Sequence, residues 1–193
     1  MVEFYAEGIT DWTSLATQEV PESLRDHPTT VLVKARQNGV EVSRRVDLTA
    51  LCQPDLTPLL LTSPSTVYGT STLNLVVDVV ELNSRSSNGL IQVYLAKDTL
   101  FSLSFDPATT LVVGRQVQNT VWQFDATSNE SFYILSTRGL GAGAKVSVRL
   151  SGQLRPGNTK GRLSISALVM GSAIGELQLT NNSDADLVEY FNK

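Results

Sequence analysis

Alternation of apolar and polar residues recurs along the chain and predicts β-strands over most of its length. The clearest early example is residues 30–36, followed by Asn38–Gly39 and a second alternating segment at 40–48. Asn and Gly both accept the positive φ angles of a type I′ turn. The pattern therefore predicts a β-hairpin over residues 30–48.

The segments before this hairpin have a weaker pattern. Residues 2–6 are short and apolar enough for one strand. Residues 7–28 keep no sustained period and contain Gly8, Pro21 and Pro28. One helical turn is predicted within them from the spacing of four residues, Asp11, Trp12, Leu15 and Val20.

A boundary is predicted at residues 50–55. Pro54 and Pro58 favour extended backbone and stop a helix, so the segment is typical of a seam between two units. We expect a small β unit at residues 1–53, an independent β domain at 54–193, and a hinge near Leu51–Asp55.

The second unit contains a series of short alternating segments separated by turn residues. Residues 73–82 form the longest, and 90–95 are expected to return as their hairpin partner. Roughly seven or more such strands predict an immunoglobulin-like β-sandwich, with an up-and-down barrel as the alternative. The uneven loops after Phe105 and Leu150 favour the sandwich, because Greek-key crossovers need connections of unequal length. The predicted fold class is therefore all-β.

Five short motifs in this unit occur in a recognisable order: 54–57 (PDLT), 75–79 (LVVDV), 122–124 (WQF), 141–146 (GAGAKV) and 180–184 (TNNSD). In this order and spacing, residues 54–193 resemble the immunoglobulin-like conserved-repeat domains of large Bacteroidetes-type cell-surface and secreted proteins. The resemblance implies an adhesion-type repeat domain in which the mid-domain Trp is core and the Asn-Asn turn precedes the last strand. It also implies an extracellular location. Residues 1–53 depart from the family because they are too short for a full module.

Composition and charge exclude several classes of function. The net charge of −4 argues against a nucleic-acid partner, whose binding needs clustered Lys and Arg. No apolar run reaches the roughly 20 residues of a membrane-spanning helix, and residues 1–20 contain no basic, apolar leader. Cys52 is the only cysteine, so we expect a small buried residue at the seam rather than a disulfide or a cysteine metal site.

Candidate catalytic residues are few, and the chain is predicted not to be an enzyme. His27, the only histidine, lies in a polar loop with no sign of a nucleophile beside it. Asp78 and Glu81 are the best pair of carboxylates for glycoside hydrolysis, but we expect them to form a solvated strand end. No cofactor is predicted.

Candidate binding residues are of two kinds. Asn181, Asp184 and Asp186 supply the oxygen ligands that calcium prefers, which makes a structural calcium site the one metal hypothesis. Trp12 and Tyr68 are expected in loops, where their rings are available to stack on a ligand such as a sugar. Trp122 lies among apolar neighbours, and we expect it in the core beside Leu75, Val77 and Ile165.

The predicted function is a structural or adhesive module of a bacterial secreted or cell-surface protein. Its partners would be neighbouring domains of the same chain, another protein or a surface glycan. A carbohydrate-binding module is the first alternative, which would require exposed coplanar aromatic rings. A subunit of a filament or phage-tail-like assembly is the second, which would require a sheet edge that accepts a strand.

The first unit is predicted to be incomplete by itself. Hairpin 30–48 has apolar faces, among them Val40, Val42 and Val46, that a strand at 2–6 covers only in part. Exposed apolar area costs about 25 cal/mol per Å². The unit is therefore expected either to borrow surface from residues 54–193 or to meet a neighbouring chain through its sheet edge.

Overall fold

The computed structural model describes residues 1–24, 29–48, 53–171, 176 and 178–192. Within them the backbone is almost entirely β, with short 3-10 turns at Glu22–Leu24 and Asn119–Val121. The predicted all-β class is confirmed. The chain divides into two compact units, Met1–Gln53 and Pro54–Lys193. The predictions made for His27, for Cys52 and for a hinge at Leu51 fall outside the described residues.

The first unit is a single antiparallel sheet. Its strands are β1 (Glu3–Ala6), β2 (Thr10–Thr13), β3 (Thr30–Gln37) and β4 (Val40–Asp47), in the order β2-β1-β3-β4. Strands β3 and β4 form a hairpin in which Gln37 lies opposite Val40, and Asn38 and Gly39 adopt φ angles of 51° and 78°. These are the positive angles that the Asn-Gly pair predicted.

The helical turn predicted around Trp12 is wrong, because residues 10–13 form strand β2. Trp12 and the β-branched Thr10 and Thr13 favour extended backbone. Strand β1 supplies the partner, with Phe4 opposite Thr13 and Ala6 opposite Thr10. The weak 3.6-residue spacing was therefore overridden by pairing with a neighbouring strand.

The second unit is a sandwich of two main sheets. Its twelve strands in the described residues are β5 (Leu56–Ser63), β6 (Thr66–Tyr68), β7 (Ser71–Glu81), β8 (Ser87–Ala96), β9 (Phe101–Ser104), β10 (Leu111–Val112), β11 (Arg115–Gln116), β12 (Gln123–Asp125), β13 (Phe132–Leu140), β14 (Lys145–Leu154), β15 (Gly161–Gly171) and β16 (Ser183–Phe191). One sheet has the order β5-β7-β14-β9 and the other β12-β13-β8-β15-β16-β6, while β10 and β11 form a separate small ribbon.

These strand orders are those of an immunoglobulin-like sandwich. The order β5-β7-β14-β9 corresponds to strands A, B, E and D, and β13-β8-β15-β16 corresponds to C′, C, F and G. The chain differs from the common topology in visiting β9 before β13. The predicted hairpin between residues 73–82 and 90–95 is wrong: β7 pairs with β5 and β14, so the connection to β8 crosses to the other sheet.

The core lies between the two sheets, as the alternation on β7 predicted. Leu73, Leu75, Val77 and Val79 point inward and are almost completely buried. Trp122 is 3% exposed and belongs to the same apolar cluster as Leu75, Val77 and Ile165, so its predicted place in the core is confirmed. The inward-facing positions of both sheets therefore fill one continuous core.

Candidate functional site

One edge of the sandwich is closed by carboxylates. Strand β5 ends its sheet, and its outward N–H groups would be left without partners. Leu56 N–H donates to Glu176 Oε1 at 2.6 Å, Leu60 N–H to Asp184 Oδ2 at 2.7 Å, and Thr62 N–H to Asp186 Oδ2 at 2.7 Å. Pro58, which is the intervening position of this series, has no N–H. The described acids thus occupy the edge that another strand would need.

The predicted calcium ligands are distributed along this edge. The carbonyl oxygen of Asn181 accepts a hydrogen bond from Thr57 Oγ1. The carboxylates of Asp184 and Asp186 accept hydrogen bonds from the backbone N–H groups at positions 60 and 62. Positions 57 and 62 of a strand lie about 17 Å apart. Asn181 Nδ2 also donates to Asp55 Oδ1 at 2.8 Å. The calcium site stays a prediction, and these separate contacts do not favour it.

The pKa values of two edge carboxylates, Asp186 and Glu176, are shifted in opposite directions. Burial raises the pKa of Asp186, but hydrogen bonds from the side chain and backbone of Thr62 outweigh it, and the pKa ends below 3.8. Burial also raises the pKa of Glu176, and there the bonds from Leu56 and Asn182 do not compensate, so the pKa ends above 4.5. Asp186 is therefore the carboxylate whose charged form the fold stabilises.

Glu81 is buried among backbone donors at one end of the sandwich. Its side chain accepts N–H groups of Asn83 at 2.9 Å, Arg85 at 2.9 Å and Gly143 at 2.7 Å, with the N–H of Asp55 farther away at 3.4 Å. These donors come from the start of β5, the β7–β8 connection and the turn before β14. A single carboxylate therefore joins three loops.

Asp78 is the second buried acid of β7. Its carboxylate forms an ion pair with Arg115 on the β10–β11 ribbon, lies 3.4 Å from Lys145 Nζ, and accepts a hydrogen bond of 2.6 Å from Ser147 Oγ. Asp78 and Glu81 are only 3% and 2% exposed. The expectation of a solvated strand end is wrong, because the β10–β11 ribbon covers Asp78 on the outer face of β7 and the loops at Asn83 and Gly143 enclose Glu81 at its end.

Trp12 is in strand β2 and not in a loop. Its ring lies 5.8 Å from that of Tyr5, and the guanidinium of Arg36 is 4.1 Å from its ring centroid. Arg36 in turn pairs with Glu3 at 2.8 Å. The cation therefore occupies one face of the indole.

Tyr68 is also in a strand, as the last residue of β6. It is 62% exposed and stacks on Phe191 of β16, with ring centroids 5.4 Å apart and an interplanar angle of 22°. Trp12 and Tyr68 belong to different units. Their role in ligand binding stays a prediction.

A polar groove on the outer face of the six-stranded sheet was not identified from the sequence. Gln123, Ser136 and Gln92 lie side by side on β12, β13 and β8, and they line an open groove of about 540 Å³ together with Asp125. Hydrogen bonds from Ser128 and Thr127 lower the pKa of Asp125 to about 2. Outward polar residues at alternate positions were the available signal, but their alignment depends on the register between strands.

Metal and membrane features are absent from the part of the chain that the structure describes. No three His, Cys, Asp or Glu side chains there are placed to hold one metal ion. No helix among the same residues is long and apolar enough to cross a membrane.

Comparisons with known proteins give only distant similarity. No protein-family profile and no curated protein matches the chain. Among solved structures, it is similar to the CARDB domain of a Pyrococcus furiosus protein, with 19% identity, a TM-score of 0.44, and coverage of 72% of this chain and 95% of that one. A cohesin module of a Clostridium perfringens family 33 glycoside hydrolase gives 9% identity, a TM-score of 0.46, and coverage of 73% and 100%. Salmonella alpha-2-macroglobulin gives 16% identity, a TM-score of 0.45, and coverage of 86% and 9%. At these values the similarity carries no inference about function.

Proposed function

We propose that this chain is a structural and adhesive β-sandwich module of a bacterial secreted or cell-surface protein and that it has no catalytic site. The observation that carries the proposal is the placement of the two ends of the sandwich unit. The chain enters beside Asn181, which contacts Asp55 and Thr57 just before β16 begins. It leaves at Phe191, where β16 ends beside Tyr68. A strand with the length of β16 spans about 30 Å, so the chain enters and leaves the sandwich unit at opposite ends.

Opposite ends suit a module that carries load in a tandem array. Strand β16 pairs in parallel with β6 and is joined to β5 by the Asp184 and Asp186 contacts. A force applied through the two ends pulls the first and last strands past each other. The hydrogen bonds between these strands are perpendicular to that force, so they must break at the same time for the strands to separate.

The acidic residues that offered chemistry support the same proposal. Glu81 is occupied by backbone N–H groups, and Asp78 by Arg115, Lys145 and Ser147. Each of these carboxylates has a structural partner that orders a loop or a strand edge. An acid–base pair for hydrolysis would instead need two carboxylates that face a substrate cleft.

Single-molecule force spectroscopy tests the load-bearing role. Residues 54–193 would be pulled through their two ends as wild type, as Asp184→Asn/Asp186→Asn, and as the exposed control Glu130→Gln. We expect the double variant to unfold at a clearly lower force and the control to match wild type. An unchanged unfolding force in the double variant would contradict the mechanical role.

The proposed location has a separate test. The resemblance to Bacteroidetes-type repeat domains supports an extracellular site. An antibody against residues 54–193 is expected to label intact cells of the source organism, and external protease is expected to remove the signal. Labelling only after lysis would refute the surface location.

A carbohydrate-binding module is the second candidate. The exposed, stacked pair of Tyr68 and Phe191 and the polar groove lined by Gln123 and Gln92 favour it. Aromatic faces stack on sugar rings, and amide groups bind hydroxyls. In a glycan-binding screen, affinity that is lost in Tyr68→Ala or Gln123→Ala would support this candidate. An absence of binding by wild type would exclude it for the glycans screened.

A further inference from the structure

Strand β4 presents an open sheet edge. It is the last strand of the first unit's sheet, and all eight of its residues are exposed, with Val40 at 66% and Val42 at 63%. The edge of β5 in the second unit is capped by carboxylates, whereas the described residues place no such carboxylate on the backbone of positions 41–45 of β4. An open, partly apolar edge is a template for another strand.

The direction of the backbone groups on β4 follows from its pairing with β3. Leu48 N–H donates to the carbonyl of Thr29 at 2.8 Å, so the even-numbered positions bond inward. Backbone groups alternate in direction along an antiparallel strand. Glu41, Ser43 and Arg45 therefore direct their N–H and C=O groups to the open edge.

This alternation restricts how β4 can pair with β4 of a second copy. In an antiparallel dimer with two-fold symmetry, the numbers of the paired residues add to a constant. Residues with outward backbone groups must face each other, so the constant is even. A centre at Ser43 places Ser43 opposite Ser43, Glu41 opposite Arg45, and Val40 opposite Val46.

The register centred on Ser43 is complementary in both charge and hydrophobicity. It forms two Glu41–Arg45 pairs on one face and two Val40–Val46 pairs on the other. Lys34 Nζ already lies 3.0 Å from Glu41 Oε1, so the second carboxylate oxygen is the one left for Arg45. The aliphatic part of Arg44 also lies opposite Val42.

The neighbouring registers are less favourable. A centre at Arg44 opposes two Arg44 side chains and places Glu41 against Asp47, so like charges meet at three positions. A centre at Glu41 places the two Glu41 side chains opposite each other, and a centre at Arg45 does the same for the two Arg45 side chains, so identical charges meet at the symmetry axis. A centre at Val42 forms no ion pair. Like charges directly opposite each other destabilise strand pairing.

We propose that two copies of this chain associate by antiparallel β4–β4 pairing centred on Ser43, which joins their four-stranded sheets into one. The contact is a single strand edge, so the interface is small and the dimer is weak and concentration-dependent. The proposal concerns self-association and does not depend on the surface location, which has its own test.

Charge reversal in the full chain tests the ion pairs. Glu41→Arg and Arg45→Glu each place like charges opposite one another, and each is expected to weaken self-association roughly ten-fold. An equimolar mixture of the two variants restores both ion pairs and is expected to form a heterodimer. Glu130→Arg, with the same charge change at an exposed site of the second unit, should behave like wild type. Sedimentation velocity up to about 1 mM measures association, and circular dichroism verifies folding.

A cysteine at the symmetry axis tests the register. Directly opposed residues with outward backbone groups have Cα atoms about 5.5 Å apart, which is within reach of a disulfide. In a Cys52→Ser background, Ser43→Cys is expected to form a covalent dimer on oxidation. Glu41→Cys, which faces position 45, is expected to form far less.

Three results would overturn the proposal. The first is a wild-type chain that remains monomeric across the concentration series. The second is a dimer that charge reversal leaves unchanged, because another surface would then hold it. The third is equal crosslinking by Ser43→Cys and Glu41→Cys, because the predicted register would then be wrong.

Discussion

Glu81 provides the most direct test of how the sandwich is stabilised. Its carboxylate receives three short hydrogen bonds, of 2.7–2.9 Å, from the N–H groups of Asn83, Arg85 and Gly143. The change is Glu81→Gln, which preserves the shape of the side chain. It removes the charge and replaces one acceptor oxygen with an amide that donates.

The magnitude follows from these contacts. A hydrogen bond to a charged group contributes about 1.5–3 kcal/mol, and a buried donor without a partner costs about 1–3 kcal/mol. Glutamine keeps one acceptor oxygen, so part of the set survives. Where the NH₂ group of glutamine replaces a carboxylate oxygen, the backbone N–H groups that donated to that oxygen face another donor. Loss of about one hydrogen bond to the charged carboxylate, with partial loss of another, is expected to lower the free energy of unfolding by roughly 2–4 kcal/mol.

Urea unfolding of the full chain, followed by Trp fluorescence, measures this change in the free energy of unfolding. The control is Glu130→Gln, which makes the same chemical change at an exposed position and is expected to have an effect within about 0.5 kcal/mol. If Glu81→Gln were equally silent, the buried carboxylate would not join the three loops energetically.

Three further predictions concern the core, pH and the two units. Trp122→Ala should lower the free energy of unfolding by about 3–5 kcal/mol, because a large buried side chain leaves a cavity; chemical denaturation measures it. Asp186→Asn should lose stability relative to wild type above pH 3.8, where the folded state favours the charged carboxylate. The difference should shrink as pH falls below 3.8, since the unfolded state then binds the proton more readily. Expressed separately, residues 54–193 should fold cooperatively, whereas residues 1–53 should be disordered or aggregate, as circular dichroism and light scattering report.

Each of these predictions can fail in a specific way. An unchanged denaturation midpoint in Trp122→Ala would contradict the core assignment. A stability difference for Asp186→Asn that stays constant from neutral pH to pH 2 would contradict the lowered pKa. A monomeric fragment 1–53 that melts cooperatively would establish an independent domain and refute the predicted incompleteness.

The sequence by itself determined most of the long strands and which of their side chains face the core, whereas the short strands β2, β6, β10 and β11 were not predicted. Alternation is local: side chains of a strand point to opposite faces at every step, so the inward set on β7 is evident from residues 73–79 alone. The Asn38–Gly39 turn is equally local, because both residues tolerate the φ angles that the hairpin requires. The apolar neighbours of Trp122 in the sequence are likewise local information, and they predicted its place in the core.

Only the tertiary structure decided which strands pair and what the polar residues do. The connection from β7 to β8 has a length suited to a hairpin, yet β7 is flanked by β5 and β14. Asp78 and Glu81 look like a solvated strand end until the β10–β11 ribbon and three loops lie over them. Asp184 and Asp186 look like metal ligands until β5 is placed beside them. The contacts of Asp78 with Arg115, of Glu81 with Gly143 and of Asp184 with Leu60 join residues 37, 62 and 124 positions apart along the chain. Alternation carries no information about such distant partners.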